Sequence, residues 1–344
     1  MIHIVAPSYI RSLYKPNKTW LRESGYALSR KSIIRKESIA GTIKCKKNQF
    51  IGRHTVQQQQ SAIANAQTIL AVDVGNTITR FGVLTIQHAS TTQQIKPLLQ
   101  GSCELSTPSR LTADDARIQL HQALSLLPGN ALAGCILSCV VPTLVQPWRT
   151  ALAQISPTRP LVVGPGLKSG IRMRFDDPSE VGGDRVADVV AARHSYQTPV
   201  VVVDLGTTTN LEIIDKNGTF IGGVIAPGIE LGARSLSQAA ARLPEIELQA
   251  PQEVIGRNTQ AAMRSGVVLG EAARVDGLLD AVIAELGNTD TVTIVVTGTY
   301  AQEMACLVHH DVIVDETLIL RGLALLWHNN RPKRREDSCP TSSI

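Results

Sequence analysis

Aromatic side chains are scarce: Phe, Tyr and Trp supply only 3% of the 344 residues. A core must then be assembled from Val, Leu, Ile and Ala, which favours α/β packing over a β-sandwich. Paired cysteine spacing is also missing. Cys45, Cys103, Cys135, Cys139, Cys306 and Cys339 are scattered, and Cys135 and Cys139 sit in an apolar stretch. That pattern fits a reducing compartment, the cytoplasm, better than a disulfide scaffold, and leaves no expectation of a zinc site. No apolar run approaches the ~20 residues needed to span a bilayer, so a soluble chain with no membrane partner is expected. Acidic residues are nearly absent from residues 1–66, which hold 12 Lys and Arg against Glu23 and Glu37 alone. The other 278 residues carry 22 basic and 27 acidic groups. Their basic residues are scattered and not interleaved with aromatics, so no nucleic-acid partner is expected.

What is present suits one or two globular domains: 43% hydrophobic and 18% charged residues. Residues 1–67 lack hydrophobic periodicity, mix Lys and Arg with Ser and Thr, and include the tract Gln57 to Gln60. They read as a disordered basic leader, either a transit peptide or sequence upstream of a misassigned start. Residues 329–344 read as a polar tail. In between, strands alternate with helices. Ile69–Asp73 and Arg80–Leu84 form two short strands around a tight turn, as do Val200–Asp204 and Leu211–Asp215. Asp114–Leu127 reads as a helix and Ala133–Val141 as a buried strand ended by Pro142. The stripe Val186, Val189 and Val190 marks a helix after Gly182 and Gly183. A long helical stretch runs from Thr259 to Leu286, and Thr293–Thr297 is a last strand before further helix.

One device occurs twice. A strand ending in Asp73 leads into Val74, Gly75, Asn76 and Thr77, and a strand ending in Asp204 leads into Leu205, Gly206, Thr207 and Thr208. The aspartates lie 131 residues apart, a spacing of related domains and not of a short-period solenoid. Glycine in such a turn lets successive N–H groups point at a phosphate oxygen, while the Asp can hold Mg²⁺ through water. Asn76, Thr77, Thr207 and Thr208 can donate to phosphate oxygens, and Arg80 adds positive charge. An ordinary hairpin turn explains either copy alone; two copies favour the phosphate reading. The turn Thr297-Gly298-Thr299-Tyr300 is a weaker candidate for contact with the adenosine end of a nucleotide.

Asp184 falls in the first turn of the helix that follows Gly182 and Gly183. A carboxylate there can accept a proton from a substrate hydroxyl, and Arg185 can pair with a substrate carboxylate. A helix-start residue beside a solvated surface charge explains the pair equally well. The run Gly222–Gly228 permits either close ligand approach or a sharp change from strand to helix. Gly266 and Gly270 fit close helix packing, including a subunit contact.

In order and combination, the motifs resemble those of the type III pantothenate kinases, over about residues 68–328. They are Asp73-Val-Gly-Asn-Thr77, Gly182-Gly-Asp-Arg185, Asp204-Leu-Gly-Thr-Thr-Thr209, Gly222-Gly-Val-Ile-Ala-Pro-Gly228, Leu243-Pro244, Gly256-Arg-Asn-Thr259 and Leu320-Arg-Gly-Leu323. The resemblance implies two RNase H-like, actin-like ATPase domains, 68–187 and 188–328, around one cleft. It implies ATP-dependent phosphorylation of pantothenate at its primary hydroxyl, the first step of coenzyme A synthesis, by a homodimer with its active site near the subunit interface. By the same resemblance, Asp73, Val74, Gly75, Asn76, Thr77, Ile78, Thr79 and Arg80, with Thr207, would bind ATP and Mg²⁺. Asp184 would be the proton acceptor, and Gly182, Gly183, Asp184, Arg185 and Thr259 would hold pantothenate. Asp204 would coordinate a monovalent cation, K⁺ or NH₄⁺. Phe175 stands at the substrate-contacting position where the family often has Tyr, Thr299 replaces a usual Gly, and Thr208 and Asn210 also depart from the commonest residues. Two further readings stay open on the same fold: a kinase of another small hydroxy acid, and a non-catalytic regulatory or accessory protein.

Overall fold

In Ile69-Leu-Ala-Val72 no polar residue interrupts the apolar run, a pattern that suits a strand covered on both faces. The computed structural model, which describes residues 66–88, 95–287 and 291–331, places a strand there, β1 (Gln67–Val74), buried from Ile69 onward. Apart from residues 66 and 67, the basic leader lies outside the described residues, as does the polar tail beyond Arg331. The first turn closes when the Gly75 N–H donates to the Ile78 carbonyl at 3.0 Å. The chain returns antiparallel through β2 (Ile78–His88) and again through β3 (Ile95–Ser106). Helix α1 (Ala113–Leu126) starts at a capping box: Thr112 Oγ1 accepts from the Asp115 N–H, and the Asp115 carboxylate accepts from the Thr112 N–H. Strand β4 (Gly134–Cys139) then pairs parallel with β1, helix α2 (Pro142–Ala153) follows, and β5 (Leu161–Val162) pairs parallel with β4.

Helix α3 (Gly183–Ser195) leads into a second set of elements. Strands β6 (Val200–Leu205), β7 (Thr208–Ile214) and β8 (Phe220–Pro227) form an antiparallel meander, followed by helix α4 (Ile229–Ala239). The helical stretch expected over 259–286 is α5 (Thr259–Arg264), a π-helical segment Ser265–Leu269, and α6 (Gly270–Glu285). Strand β9 (Thr293–Gly298), helix α7 (Ala301–Ala305), strand β10 (Ile313–Val314) and helix α8 (Leu318–Asn330) complete the described chain. The first sheet runs β3-β2-β1-β4-β5 and the second β8-β7-β6-β9-β10. Strand for strand, with the same two antiparallel and two parallel pairings, one sheet repeats the other. This is the expected pair of RNase H-like, actin-like domains.

The central strands of each sheet are buried on both faces. Helices α1 and α2 cover the outer face of the first, where Leu120, Leu144 and Trp148 pack against Val72 and Phe81. Helix α6 covers the outer face of the second, with Val275 and Leu279 against Val201 and Val203. Helices α3 and α8 lie between the sheets. Leu320, Leu323 and Leu326 of α8 pack on Ile69, Ala71 and Leu84, while Val189 and Ala192 of α3 pack on Val200, Val202 and Phe220. The two helices cross at Gly322, where a β-carbon would collide with the Ala187 carbonyl. Arg321 beside it bonds Asp315, which also accepts from the Tyr196 hydroxyl at 2.6 Å. The motif Leu320-Arg-Gly-Leu323 is thus a packing device.

The sequence gives little sign of β3 and α2. Pro97 and Gly101 argue against a strand, yet β3 is an edge strand, where proline costs no ladder bond. Helix α2 tolerates the internal Pro147 on a face set by buried Leu144, Trp148 and Ala151. At the polar C-terminal end, Asn330 is tied down: its side chain exchanges hydrogen bonds with the Lys168 backbone at 2.8 and 2.9 Å.

Candidate active site

The two Asp-ended strands bring their turns to opposite sides of one cleft of about 410 Å³. Asp73 ends β1, paired with Arg80 on one side and Ser138 of β4 on the other. Asp204 ends β6, paired with Asn210 and with Thr297 of β9. The turns meet directly, Thr77 Oγ1 standing 3.0 Å from Thr207 Oγ1. Of the residues expected to contact nucleotide, Asp73, Gly75, Asn76, Thr77, Ile78, Arg80 and Thr207 line the cleft; Val74 and Thr79 are buried behind it. Arg80 is held in place by Glu104 (Nε–Oε1 2.7 Å) and by Thr299 (Nη2–Oγ1 3.1 Å). The third turn, Thr297 to Tyr300, therefore reaches the same cleft, and Thr299 bonds the first-turn arginine.

Asp184, expected as proton acceptor, also lines the cleft, in the first turn of α3, where Oδ1 accepts from the Arg185 N–H at 2.8 Å. Arg185 is not a solvated surface charge. Its Nε donates to buried Glu212 at 3.0 Å, and its guanidinium lies 5.6 Å from the Phe220 ring centre. Gly223 leaves room for that guanidinium, and Gly228 lies against the backbone of the second turn, its N–H donating to the Thr207 carbonyl at 3.1 Å. The Gly222–Gly228 run is thus strand β8 passing into α4; Gly223 and Gly228 answer to close packing, and Gly222 to a φ of 151°. Gly182, Gly183 and Arg185 flank Asp184 outside the cleft lining. Phe175 packs on Phe220 with ring centres 4.8 Å apart, and Thr259 is exposed at the start of α5; neither lines the cleft.

Sequence reading missed two acids. Asp188 lies one helical turn beyond Asp184 on α3 and lines the cleft, and the i, i+4 spacing of the two was visible. Glu212 had no such signal, because its burial beside Arg185 comes from the second sheet. Together these carboxyls set the electrostatics. Burial pushes Asp73 up to about 7, with the Asp184 carboxylate adding to it. Burial pushes Asp204 up to about 6, Arg80 opposing and Asp184 reinforcing. Glu212 rises to about 8, first through burial and then through Asp204, against the pull of Arg185. Burial raises Asp184, and burial with Asp204 and Glu212 raises Asp188 well above the usual carboxylate range.

Crowded carboxyls of this kind ionise together only when cations join them. Asp73 Oδ1, Asp188 Oδ1 and Asn210 Oδ1 are buried without a hydrogen-bond partner among the described residues. Unsatisfied oxygens beside acids fit a hard, oxygen-seeking cation such as Mg²⁺ or K⁺. The donor set therefore suits the ions expected from the sequence. Among the described residues, no helix is long and apolar enough to cross a membrane.

The family model for type III pantothenate kinase matches residues 69–281. A type III pantothenate kinase of Acidobacterium capsulatum is 35% identical over 270 residues, covering 78% of this chain and 97% of the relative. One from a Roseiflexus species is 36% identical over 265 residues, covering 76% and 99%. One from Listeria monocytogenes is 35% identical over 266 residues, covering 77% and 98%.

Proposed function

The chain belongs to the type III pantothenate kinase family, and from that premise we propose that it transfers the γ-phosphoryl group of ATP to the primary hydroxyl of pantothenate. The observation that carries this reading is the meeting of the two Asp-ended turns beside Asp184 in one cleft. In the proposed reaction, Gly75 to Thr77, Arg80 and Thr207 bind the ATP phosphates. Asp73, with Asp188 nearby, would hold Mg²⁺, which supplies charge neutralisation on the phosphates. Asp204 would hold K⁺ or NH₄⁺. Asp184 takes the proton of the pantothenate hydroxyl as its oxygen bonds to the γ-phosphorus; the bond from phosphorus to the β,γ-bridging oxygen breaks and ADP leaves. The raised proton affinity that burial gives Asp184 suits a base that must accept a proton. Gly182 and Gly183 position this carboxylate, and Glu212 aims Arg185 toward the pantothenate carboxylate, with Thr259 on the substrate side.

We place the enzyme in the cytoplasm as a homodimer. Exposed apolar residues on β8, on α4 and in the following loop, namely Ile225, Leu231, Leu236, Val254 and Ile255, support a subunit contact. No β-carbon at Gly266 or Gly270 would meet a neighbour in this chain, which leaves that helix surface open to a partner. A second reading, a kinase of another small hydroxy acid, is favoured by one observation: Phe175 packs on Phe220 and offers no hydroxyl.

The test incubates the purified chain with ATP, Mg²⁺ and K⁺ and a panel of hydroxy acids that includes pantothenate, following ADP and the phosphorylated product by mass. Phosphopantothenate as the main product is the expected result. Phosphorylation of another acid in preference would establish the second reading, and ATP binding without any product would overturn both.

A further inference from the structure

Away from the cleft, a second group of titratable side chains converges on helix α6. Asp276 and Asp280 lie one turn apart on that helix, and His309 and His310 face them from the loop between α7 and β10. His309 Nδ1 stands 2.9 Å from Asp276 Oδ2, and His310 Nε2 stands 3.1 Å from Asp280 Oδ1. His309 Nε2 is 3.9 Å from the same Asp280 oxygen, and the imidazole rings stack with centres 4.4 Å apart. One ligand atom from each of Asp276, His309 and His310 lies within 4.8 Å of the other two. None of the four residues lines the cleft.

Simple pinning of the loop accounts for part of this. Both oxygens of Asp276 accept from the His309 N–H, at 3.1 and 3.2 Å. It does not account for His310, whose side chain is 17% exposed and whose Nε2 is buried. That nitrogen is close to a carboxylate oxygen without the alignment of a hydrogen bond. A nitrogen and an oxygen so related are placed as two ligands of one ion: bonds of about 2.05 Å set tetrahedral edges of about 3.3 Å. Two imidazoles with carboxylates select Zn²⁺ or Co²⁺ over the hard ions that suit the cleft. We infer that Asp276, Asp280, His309 and His310 form a second metal site, for a divalent transition metal of the zinc type, which clamps α6 to the loop entering β10. Cysteine spacing, on which the sequence offered no zinc site, was the wrong signal for it.

The test uses the full chain, stripped by chelator and titrated with CoCl₂ in the absence of nucleotide. One equivalent of Co²⁺ should bind with visible ligand-field absorption and without a thiolate charge-transfer band. Zn²⁺ should displace it, and either ion should raise the melting temperature. His310→Gln and Asp280→Asn should each weaken Co²⁺ binding by at least the roughly 10- to 100-fold that loss of an outer-shell partner costs, with unchanged circular dichroism and turnover. Both leave the Asp276 contacts to the loop backbone intact. The inference is overturned if the folded wild-type chain shows no saturable Co²⁺ binding, if both variants bind as the wild type does, or if the spectrum shows thiolate ligation.

Discussion

The two sheets share a topology and differ in what they do with it. In both, the second residue before the turn aspartate pairs with a residue on the returning strand: Ala71 with Gly82 in the first sheet, Val202 with Glu212 in the second. Gly82 makes room for Leu320 of α8, so the position serves packing. Glu212 bonds Arg185 of α3, so the same position serves the site. The residue opposite the aspartate is Arg80 in one sheet and Asn210 in the other. The first turn thus sets a cation, the one proposed to meet the phosphates, opposite its aspartate, while the second leaves its aspartate a neutral neighbour whose Oδ1 is unsatisfied. Duplication supplies the scaffold, and asymmetry at matched positions supplies the chemistry.

Breaking the asymmetry at its centre should have the largest effect. Asp184→Asn keeps shape and removes the proposed base, and should lower turnover by about 100- to 10,000-fold, with the melting temperature little changed; steady-state ADP release beside thermal melting checks both. Asp204→Ala removes one charge-assisted contact, of about 1.5–3 kcal/mol, roughly a 10- to 150-fold loss. The remaining rate should no longer respond to K⁺ or NH₄⁺, which a titration of each salt reads directly.

The carboxyl cluster makes a third prediction. Asp73, Asp204 and Glu212 keep their protons to about 7, 6 and 8 in the fold, against ordinary values near 4. The folded state therefore binds more protons than the unfolded chain across that window. The stability that these three groups contribute to the metal-free protein is full near pH 4 and is lost as pH rises toward 8. Melting curves from pH 4.5 to 8.5 should show the decline, and Mg²⁺ with ATP should reverse it. A smaller effect is expected at the crossing of α3 and α8: Gly322→Ala should cost about 1–3 kcal/mol in urea denaturation, with the remaining folded fraction active.

Much of this was legible in the sequence because it is local. A strand that ends in Asp and bends at Gly declares itself in five residues, and its repetition 131 residues later declared two domains. The place of Asp184 in the first turn of α3 was legible from the helix stripe that follows it. What depends on distant packing was not. Glu212 reads as one polar residue in an apolar strand until α3 brings Arg185 to it. Strand β3 hides behind Pro97 because edge position, which excuses the proline, is a property of the whole sheet. Arg185 read equally well as a surface charge, since only Phe220 and Glu212 reveal its burial.

The claim on which the account rests is that both turns hold one nucleotide. Calorimetric titration of Mg²⁺ with a non-hydrolysable ATP analogue into the wild-type chain, Thr77→Val and Thr207→Val tests it. One molecule should bind per chain, and each variant, losing a hydroxyl contact to charged phosphate, should bind about tenfold or more weakly. Wild-type affinity in either variant would place that turn outside the nucleotide site and contradict the account.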